Sequence, residues 1–210
     1  LGVQSLLHVP RPHAHERRGG RSLAAIARQP VFVVAALAGA LGYGVMNLLM
    51  VATPLAMSFC QHPFAAAAFV IQWHVVGMYA PGFVTGDLIK RFGVLPVILL
   101  GVLLVGGCVA AALAGNTIAH FTFALVLLGV GWNFMYTGAT TLLTEAYEPA
   151  EKAKVQGLND FIVFATMGVS SLSSGALVSS AGWERMNLGA VPVLLLVAAA
   201  VGWLAWLRRG

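Results

Sequence analysis

Long apolar stretches, separated by short polar joints, fill most of the chain. An α-helix needs roughly 20 apolar residues to span the hydrocarbon core of a bilayer. Six stretches reach that length, at about 31–57, 65–86, 94–115, 118–143, 155–181 and 188–207. They are uniformly apolar, whereas the strands of a membrane barrel are short and alternate apolar with polar residues. The pattern therefore predicts an all-α membrane protein with six transmembrane helices.

A polar segment precedes the first span. Residues 8–30 are basic and rich in glycine and proline, while residues 1–7 look like the end of an earlier apolar helix. We interpret residues 1–29 as a linker, with a short amphipathic helix near Ser22–Arg28. Residues 30–210 then form one six-helix transmembrane unit, and the abrupt start of the sequence indicates part of a larger protein.

Composition agrees with a bilayer environment. Hydrophobic residues make up 59% of the 210 positions and charged residues only 9%, whereas a soluble domain averages about 25% charged residues. So few charges cannot cover a surface that faces water. We expect the lipid bilayer to be the main partner of the chain.

The positive charges are distributed unevenly between the two sides of the predicted bundle. The chain has a net charge of +5 and twelve Lys and Arg residues, of which only Arg185 lies in the joints at 58–64, 115–118 and 180–187. The remaining eleven lie in the linker, the alternate joints and the C-terminus. Because basic loops stay in the cytoplasm, we expect both termini of this segment to be cytoplasmic in a bacterial inner membrane. No basic stripe interleaved with aromatic residues indicates a nucleic-acid partner.

Enzyme signatures are absent from the sequence. It contains no phosphate-binding P-loop, no nucleophile elbow and no zinc-binding H-E-x-x-H. The two cysteines, Cys60 and Cys108, fall in a short joint and an apolar span, so we expect both to be free. The chain is therefore predicted not to be an enzyme and to need no prosthetic group.

Two pairs of soft donor side chains lie in the first two spans. Met46 and Met50, like His74 and Met78, are four residues apart and therefore share a helix face. At 1.5 Å per residue from the outer helix ends, Met46 lies roughly 16 Å deep and His74 roughly 14 Å deep. Thioether and imidazole groups favour Cu(I) over hard cations, so the pattern fits a copper pathway. It also fits ordinary packing by methionine, with His74 as a hydrogen-bonding group or a proton carrier.

Further polar or soft residues are candidates for the transport pathway. Met57 lies at the outer rim and is a possible entry contact, whereas Gln72 and Asn47 lie near the metal pairs and would support them. Asn133 and Tyr136 belong to a polar face of the fourth span, which either lines a cavity for an organic substrate or joins helices by hydrogen bonds.

Asp160 is the only carboxylate within the spans. It would either relay protons or latch the cytoplasmic gate by pairing with Arg91 or Lys90, and we favour the latch.

Six spans after a basic linker, with the joint "GDLIKRFG" after the second span, resemble the C-terminal half of a major facilitator superfamily transporter. Gly86, Arg91 and Gly93 match that superfamily's inter-helix motif, while Lys90 replaces the expected Asp. The resemblance implies two six-helix halves, each made of two inverted three-helix repeats, with the substrate held between the halves. The N-terminal half would then be a partner that this chain lacks.

A closer likeness concerns the stretches "MNLLMVATPLAM" and "IQWHVVGMYAPGFVTG", which look like the CcoA-type bacterial copper importers. Those importers are identified by M-x-x-x-M and H-x-x-x-M motifs, here Met46, Met50, His74 and Met78, and a sibling group imports riboflavin. The leading prediction is therefore copper uptake by alternating access in support of cytochrome oxidase assembly. The alternatives are proton-coupled transport of a small organic molecule, such as riboflavin or a drug, and a non-transporting membrane module.

Overall fold

A bundle of long helices makes up the computed structural model, which describes residues 20–209. No strand occurs in that range, which confirms the all-α prediction, while the predictions for residues 1–19 lie outside it. A short turn of 3-10 helix at Thr144–Ala146 and another at Pro149–Glu151 join the last two long helices. The helices are α1 (Leu23–Ala27), α2 (Pro30–Phe59), α3 (Phe64–Tyr79), α4 (Gly82–Phe92), α5 (Val94–Ala114), α6 (Ile118–Leu143) and α7 (Lys152–Leu207).

The longest helix, α7, supplies two spans because the chain reverses inside it. Gly182 has φ 83° and ψ 164°, which are not helical values and which favour glycine. Arg208, just after α7, forms an ion pair with Glu145, just before it. The two ends of α7 therefore lie at the same end of the bundle, and the arms 152–181 and 183–207 run antiparallel. All six predicted spans are present, although the polar joint predicted at 180–187 is helical except at this glycine.

The second span is broken instead of continuous. Helix α3 ends at Tyr79 and α4 begins at Gly82, so the apolar stretch predicted at 65–86 becomes two pieces that extend to Phe92. Proline at position 81 explains the break, since it lacks the N–H that would continue the helical ladder. Helix α2, in contrast, continues through Pro54.

One end of the bundle holds both ends of the described chain, and we call it the linker end. Arg21 donates from its backbone N to Glu151 Oε1 at 2.6 Å and from Nη2 to Glu151 Oε2 at 2.7 Å. Its guanidinium also reaches the carbonyl oxygen of Ala146, and the predicted short helix, α1, follows with Ser22 as its N-cap. The side chain of Glu151 is only 1% exposed. We call this set of contacts, from Arg21 to Glu151 and Ala146, the linker clasp.

The interior is packed so closely that small residues are required where helices cross. Helix α2 packs mainly against α6 and α7, while α3 and α5 pack against α6. A Cβ atom on Gly129 of α6 would stand 2.6 Å from the carbonyl oxygen of His74, and one on Gly77 of α3 would stand 2.9 Å from that of Val126. The α3 and α6 backbones therefore touch, and this contact fixes where His74 can point.

The outer surface carries many large apolar side chains, among them Phe64, Phe83 and Leu172. Helices of this length and apolarity can cross a membrane. Both cysteines of the chain are free, as predicted, with Cys60 exposed and Cys108 buried.

Candidate functional site

His74 is completely buried in the contact between α3 and α6. Its Nδ1 lies 2.7 Å from the carbonyl oxygen of Leu125 on α6. Since a carbonyl can only accept, Nδ1 carries the proton of the neutral ring and Nε2 is left as an acceptor. Within residues 20–209, that Nε2 atom has no hydrogen-bond partner. His74 is therefore held firmly against α6 with one bare nitrogen in the interior.

The methionines of the predicted copper pathway lie mostly in the apolar core. Met46, Met57 and Met78 are buried in one hydrophobic cluster, while Met50 is half-buried at its edge. Met57 lies two residues before the end of α2, as the depth count predicted, but its side chain is 0% exposed. The depth count placed residues along the helix axis, whereas burial depends on which side of α2 faces its neighbours.

The predicted supporting residues of the metal pairs point elsewhere. Asn47 donates from Nδ2 to the carbonyl oxygen of Met167 at 3.2 Å and to Ser170 Oγ at 3.0 Å, so it joins α2 to α7. Gln72 is exposed and lines a shallow groove beside Pro54. No group of three or more His, Cys, Asp or Glu side chains able to hold a metal occurs in the part of the chain that the structure describes.

Asn133 bridges the break between α3 and α4. Its Nδ2 donates to the carbonyl oxygen of Met78 at 2.7 Å, and its Oδ1 accepts from Thr85 Oγ1 at 2.6 Å. The Thr85 hydroxyl also lies 2.7 Å from the carbonyl oxygen of Pro81, so one proton serves two acceptors. Asn133 was predicted as a pathway residue, whereas Thr85 was not singled out, although its position four residues after Pro81 was a signal. We call the contacts from Met78 through Asn133 to Thr85 the hinge bridge.

An aromatic cluster lies directly beside that bridge. Trp132 and Tyr136 on α6 stack at 5.3 Å with an interplanar angle of 8°, and Tyr43 of α2 meets both rings edge-on at 5.3 Å. Tyr79, the last residue of α3, meets Trp132 edge-on at 6.3 Å. Tyr79 is 63% exposed, Trp132 is buried, and Tyr43 and Tyr136 lie between these limits. The aromatic cluster, defined by these four residues, therefore has one open side.

Two properties of the aromatic cluster suit it to a flat organic ligand. Aromatic faces attract other rings by stacked and edge-on contacts. The indole Nε1 of Trp132 is buried and finds no acceptor among the described residues, so it becomes a donor for a ligand once the Tyr79 and Trp132 rings separate. Tyr136 was predicted from the polar face of the fourth span. Tyr43 and Tyr79 were missed because they come from other helices and share no spacing with it.

The predicted gate latch is not formed. Asp160 is exposed and its Oδ1 lies 3.4 Å from the side-chain amide of Asn159. The guanidinium of Arg91 lies over the ring of Phe92, and Lys90 pairs with Asp87. The prediction was wrong because α4 packs mainly on α5 and α6, whereas Asp160 belongs to the first arm of α7.

The family model described as Major Facilitator Superfamily matches residues 35–210, which is most of the chain and all of the six-helix bundle except the first turn of α2. The chain belongs to the major facilitator superfamily. It is a multi-pass membrane protein, and its six spans, with α7 folded back at Gly182, correspond to one six-helix half of that superfamily's fold.

The chain is also similar to individual members of this superfamily. The chain is 44% identical over 178 residues to the riboflavin transporter RfnT of Brucella anthropi, an alignment that covers 85% of this chain and 45% of that protein. It is 32% identical over 160 residues to each of two uncharacterized MFS-type transporters of Bacillus subtilis, YdeG and YddS, covering 75% of this chain and 37% of each. The chain thus spans less than half the length of these relatives, and none of the three supports the likeness to copper importers.

Proposed function

We propose that this chain is the C-terminal half of a transporter that carries a flat aromatic organic molecule of the riboflavin class. The observation that carries the proposal is the aromatic cluster, with its open side at Tyr79 and the unpaired indole N–H of Trp132. The relative from Brucella anthropi, which is named a riboflavin transporter, supports the same substrate class. Transport would proceed by alternating access between this half and an N-terminal half.

The chemistry of the cluster suits such a substrate. Small-molecule sites are lined mainly by apolar and aromatic groups, with a few polar groups that fix orientation. A tricyclic ring can pack against Tyr79 and Trp132, while a ring carbonyl accepts the indole N–H. Tyr43 and Tyr136 add two hydroxyl groups at the edge of the same cluster. The substrate would be held by stacking, with hydrogen bonds selecting its orientation.

Copper is a second candidate because of one observation at His74. Its Nδ1 is held by the Leu125 carbonyl while Nε2 stays bare, and metal-binding histidines usually have their second nitrogen fixed in this way. Met78 lies one turn further along the same helix. The buried positions of Met46 and Met78 favour packing over ion passage, so we place copper second.

We also propose that the linker end faces the cytoplasm of a bacterial cell. The basic residues of the described chain, apart from Arg185, lie in the joints and terminal segments at the linker end, which the positive-inside rule assigns to the cytoplasm. Impermeant labelling of single cysteines placed at Lys154 and at Asn116, at opposite ends, would test this orientation in intact cells.

Uptake by the full-length protein tests the substrate. Cells that cannot make riboflavin would express the wild type, Tyr79→Ala or Phe83→Ala, and the initial rate of riboflavin uptake would be measured below saturation. We expect the Tyr79→Ala rate to fall about tenfold, since stacking contributes roughly 0.5–1.5 kcal/mol per ring pair. Phe83, which is 91% exposed on α4, is the matched control and should leave uptake unchanged. Equal rates for all three proteins would contradict the proposal.

Copper is tested in the same cells. Cellular copper accumulation would be measured for the wild type and for a variant that combines Met46→Ala, Met50→Ala, His74→Ala and Met78→Ala. If riboflavin is the substrate, cells that express the wild type, the combined variant or neither protein should accumulate the same amount of copper. Copper accumulation that depends on the wild-type protein and is lost in the combined variant would establish the second candidate instead.

A further inference from the structure

Helix α4 is attached to the bundle at a single buried residue. Of its eleven residues, Gly82–Phe92, only Thr85 is buried, while Phe83, Val84 and Phe92 are among the exposed large apolar side chains. It packs against α3, α5 and α6 through only a few residues of each helix. Helix α4 is therefore an arm whose position depends strongly on what Thr85 touches.

The arm is also separated from α3 by an interruption of the backbone hydrogen bonds, although Ala80 and Pro81 keep helical values of φ and ψ. Pro81 has no N–H to donate to the previous turn, and the N–H groups of Val84 and Thr85 both bond to the carbonyl oxygen of Pro81 at 2.9 Å. The carbonyl of Met78 is taken by the side chain of Asn133 instead. No helical ladder continues from α3 into α4, so the segment Ala80–Gly82 is a joint.

The hinge bridge spans this joint from a third helix. Asn133 on α6 holds the last turn of α3 through Met78 and the first turn of α4 through Thr85. Two of the three residues of the hinge bridge neighbour the aromatic cluster in sequence, since Trp132 precedes Asn133 and Tyr79 follows Met78. A ligand that enters between the Tyr79 and Trp132 rings therefore binds next to the residues that form the Asn133–Met78 hydrogen bond of the hinge bridge.

We propose that Asn133 and Thr85 are positioning residues that couple occupancy of the aromatic cluster to the position of α4. With the cluster empty, the hinge bridge is intact and α4 is held on the bundle. When a flat substrate enters beside Tyr79, the bond between Thr85 Oγ1 and Asn133 Oδ1 opens and α4 is released. A ligand can shift such an equilibrium only through its different affinity for the two states, and the cluster supplies that difference. The inference rests on the proposed substrate class.

A matched pair of threonine substitutions isolates the bridge. Thr85→Val keeps the shape and removes the hydroxyl, whereas Thr85→Ser keeps the hydroxyl. Thr53→Val is the control, because Thr53 is also fully buried and also bonds the carbonyl four residues earlier, at 2.7 Å from Leu49 O, but contacts no hinge. Each full-length variant would be assayed for riboflavin affinity, for the maximal uptake rate and for hydrogen exchange of the α4 amides.

We expect riboflavin to speed amide exchange in α4 of the wild type and of Thr53→Val. In Thr85→Val, exchange should already be fast and no longer respond to riboflavin. Riboflavin affinity should rise by up to about tenfold, the ratio expected for one buried hydrogen bond that the ligand no longer has to open, without a rise in the maximal uptake rate. Thr85→Ser should restore both readouts, which a merely structural role of the threonine methyl group would not allow.

The outcomes separate the two proposals. If the wild type binds riboflavin and its α4 exchange does not respond, the coupling is wrong and the proposed function stands. If the wild type binds no riboflavin, the proposed function fails and the coupling to this cluster fails with it. Should Thr85→Val not accumulate in the membrane, wild-type exchange with and without riboflavin, together with Thr85→Ser, still decides the matter.

Discussion

The linker end and the interior of the bundle are held together by opposite kinds of contact. At the linker end, Arg21 pairs with a nearly buried Glu151, and Arg208 pairs with Glu145. In the interior of the described bundle, the contacts between helices join uncharged groups. Examples are the hydrogen bond from Asn133 to the Met78 carbonyl and the edge-on contact of Tyr43 with Trp132. The difference follows from the solvent, since charges in a bilayer core are costly while a membrane-water boundary tolerates them.

This contrast separates two mechanical roles. The linker clasp ties residues near the start of the described chain to the joint between α6 and α7, so it is suited to holding the bundle together. The hinge bridge consists of two neutral hydrogen bonds at a helix break, each costing about 1–3 kcal/mol to leave unmade, so a ligand of ordinary affinity can open it. Strength at one end and a weak joint in the middle are what a moving transporter half would need.

The strongest way to break the interior is to separate α3 from α6. Gly129→Ala would place a Cβ atom 2.6 Å from the His74 carbonyl oxygen and 2.8 Å from the Met78 backbone N, and backbone atoms cannot move aside easily. We expect this variant to lose most of its folded protein in membranes. Gly168→Ala is the control, since nothing lies within 4 Å of its Cβ position. Equal amounts of monodisperse protein from both variants would show that the close α3–α6 contact is not needed.

The linker clasp should come second in effect. Glu151→Gln removes the charge that pairs with Arg21 and keeps the size of the side chain. We expect the melting temperature of the purified protein to fall by several degrees, since the nearly buried position then loses the carboxylate that accepts the charge-assisted hydrogen bonds of the half-exposed Arg21. Asp87→Asn, in an exposed pair with Lys90, should leave the melting temperature almost unchanged. If the two substitutions lower it equally, burial of Glu151 has no special role.

A smaller effect tests the charge of the clasp directly. The hydrogen-bonding guanidinium of Arg21, followed by the backbone N–H of Glu148, lowers the pKa of the Glu151 carboxyl from 4.5 to about 2. A carboxyl whose pKa is lower in the folded state than in the unfolded state stabilises the protein at pH values above its unfolded-state pKa. This stabilisation is lost as the pH falls from the unfolded-state pKa through the folded-state pKa. The difference in melting temperature between wild type and Glu151→Gln should therefore be constant from pH 8 to about pH 5.5 and shrink below about pH 4.5. A difference that shrinks near pH 7 would contradict this assignment.

The same contrast explains what the sequence could predict. The six spans were predictable because hydrophobic length alone determines them, and the short helix α1 was predictable from Ser22 and the apolar residues after it. The reversal at Gly182 was expected as a joint, and only the extent of helix around it differed. These features depend on neighbouring residues in the chain.

Features that depend on several helices at once were not predictable in the same way. The burial of Met57 was not predicted because neighbouring helices set the rotation of α2, and the predicted pair between Asp160 and Arg91 does not form because α4 packs on other helices. The aromatic cluster draws Tyr43, Tyr79 and Trp132 from three helices, so no spacing in one segment revealed it. Asn133 was identified as important, but its partner Thr85 became visible only across the break.

The central claim is that the aromatic cluster binds a flat aromatic molecule, and direct titration tests it best. The purified full-length protein would be titrated with riboflavin, and quenching of riboflavin fluorescence would be measured for the wild type, Tyr79→Ala and the control Phe83→Ala. We predict saturable binding by the wild type and the control, roughly tenfold weaker binding by Tyr79→Ala, and competition by the flat ring without its ribityl chain but not by ribitol. Unsaturable quenching by the wild type, or equal affinity in all three proteins, would contradict the claim.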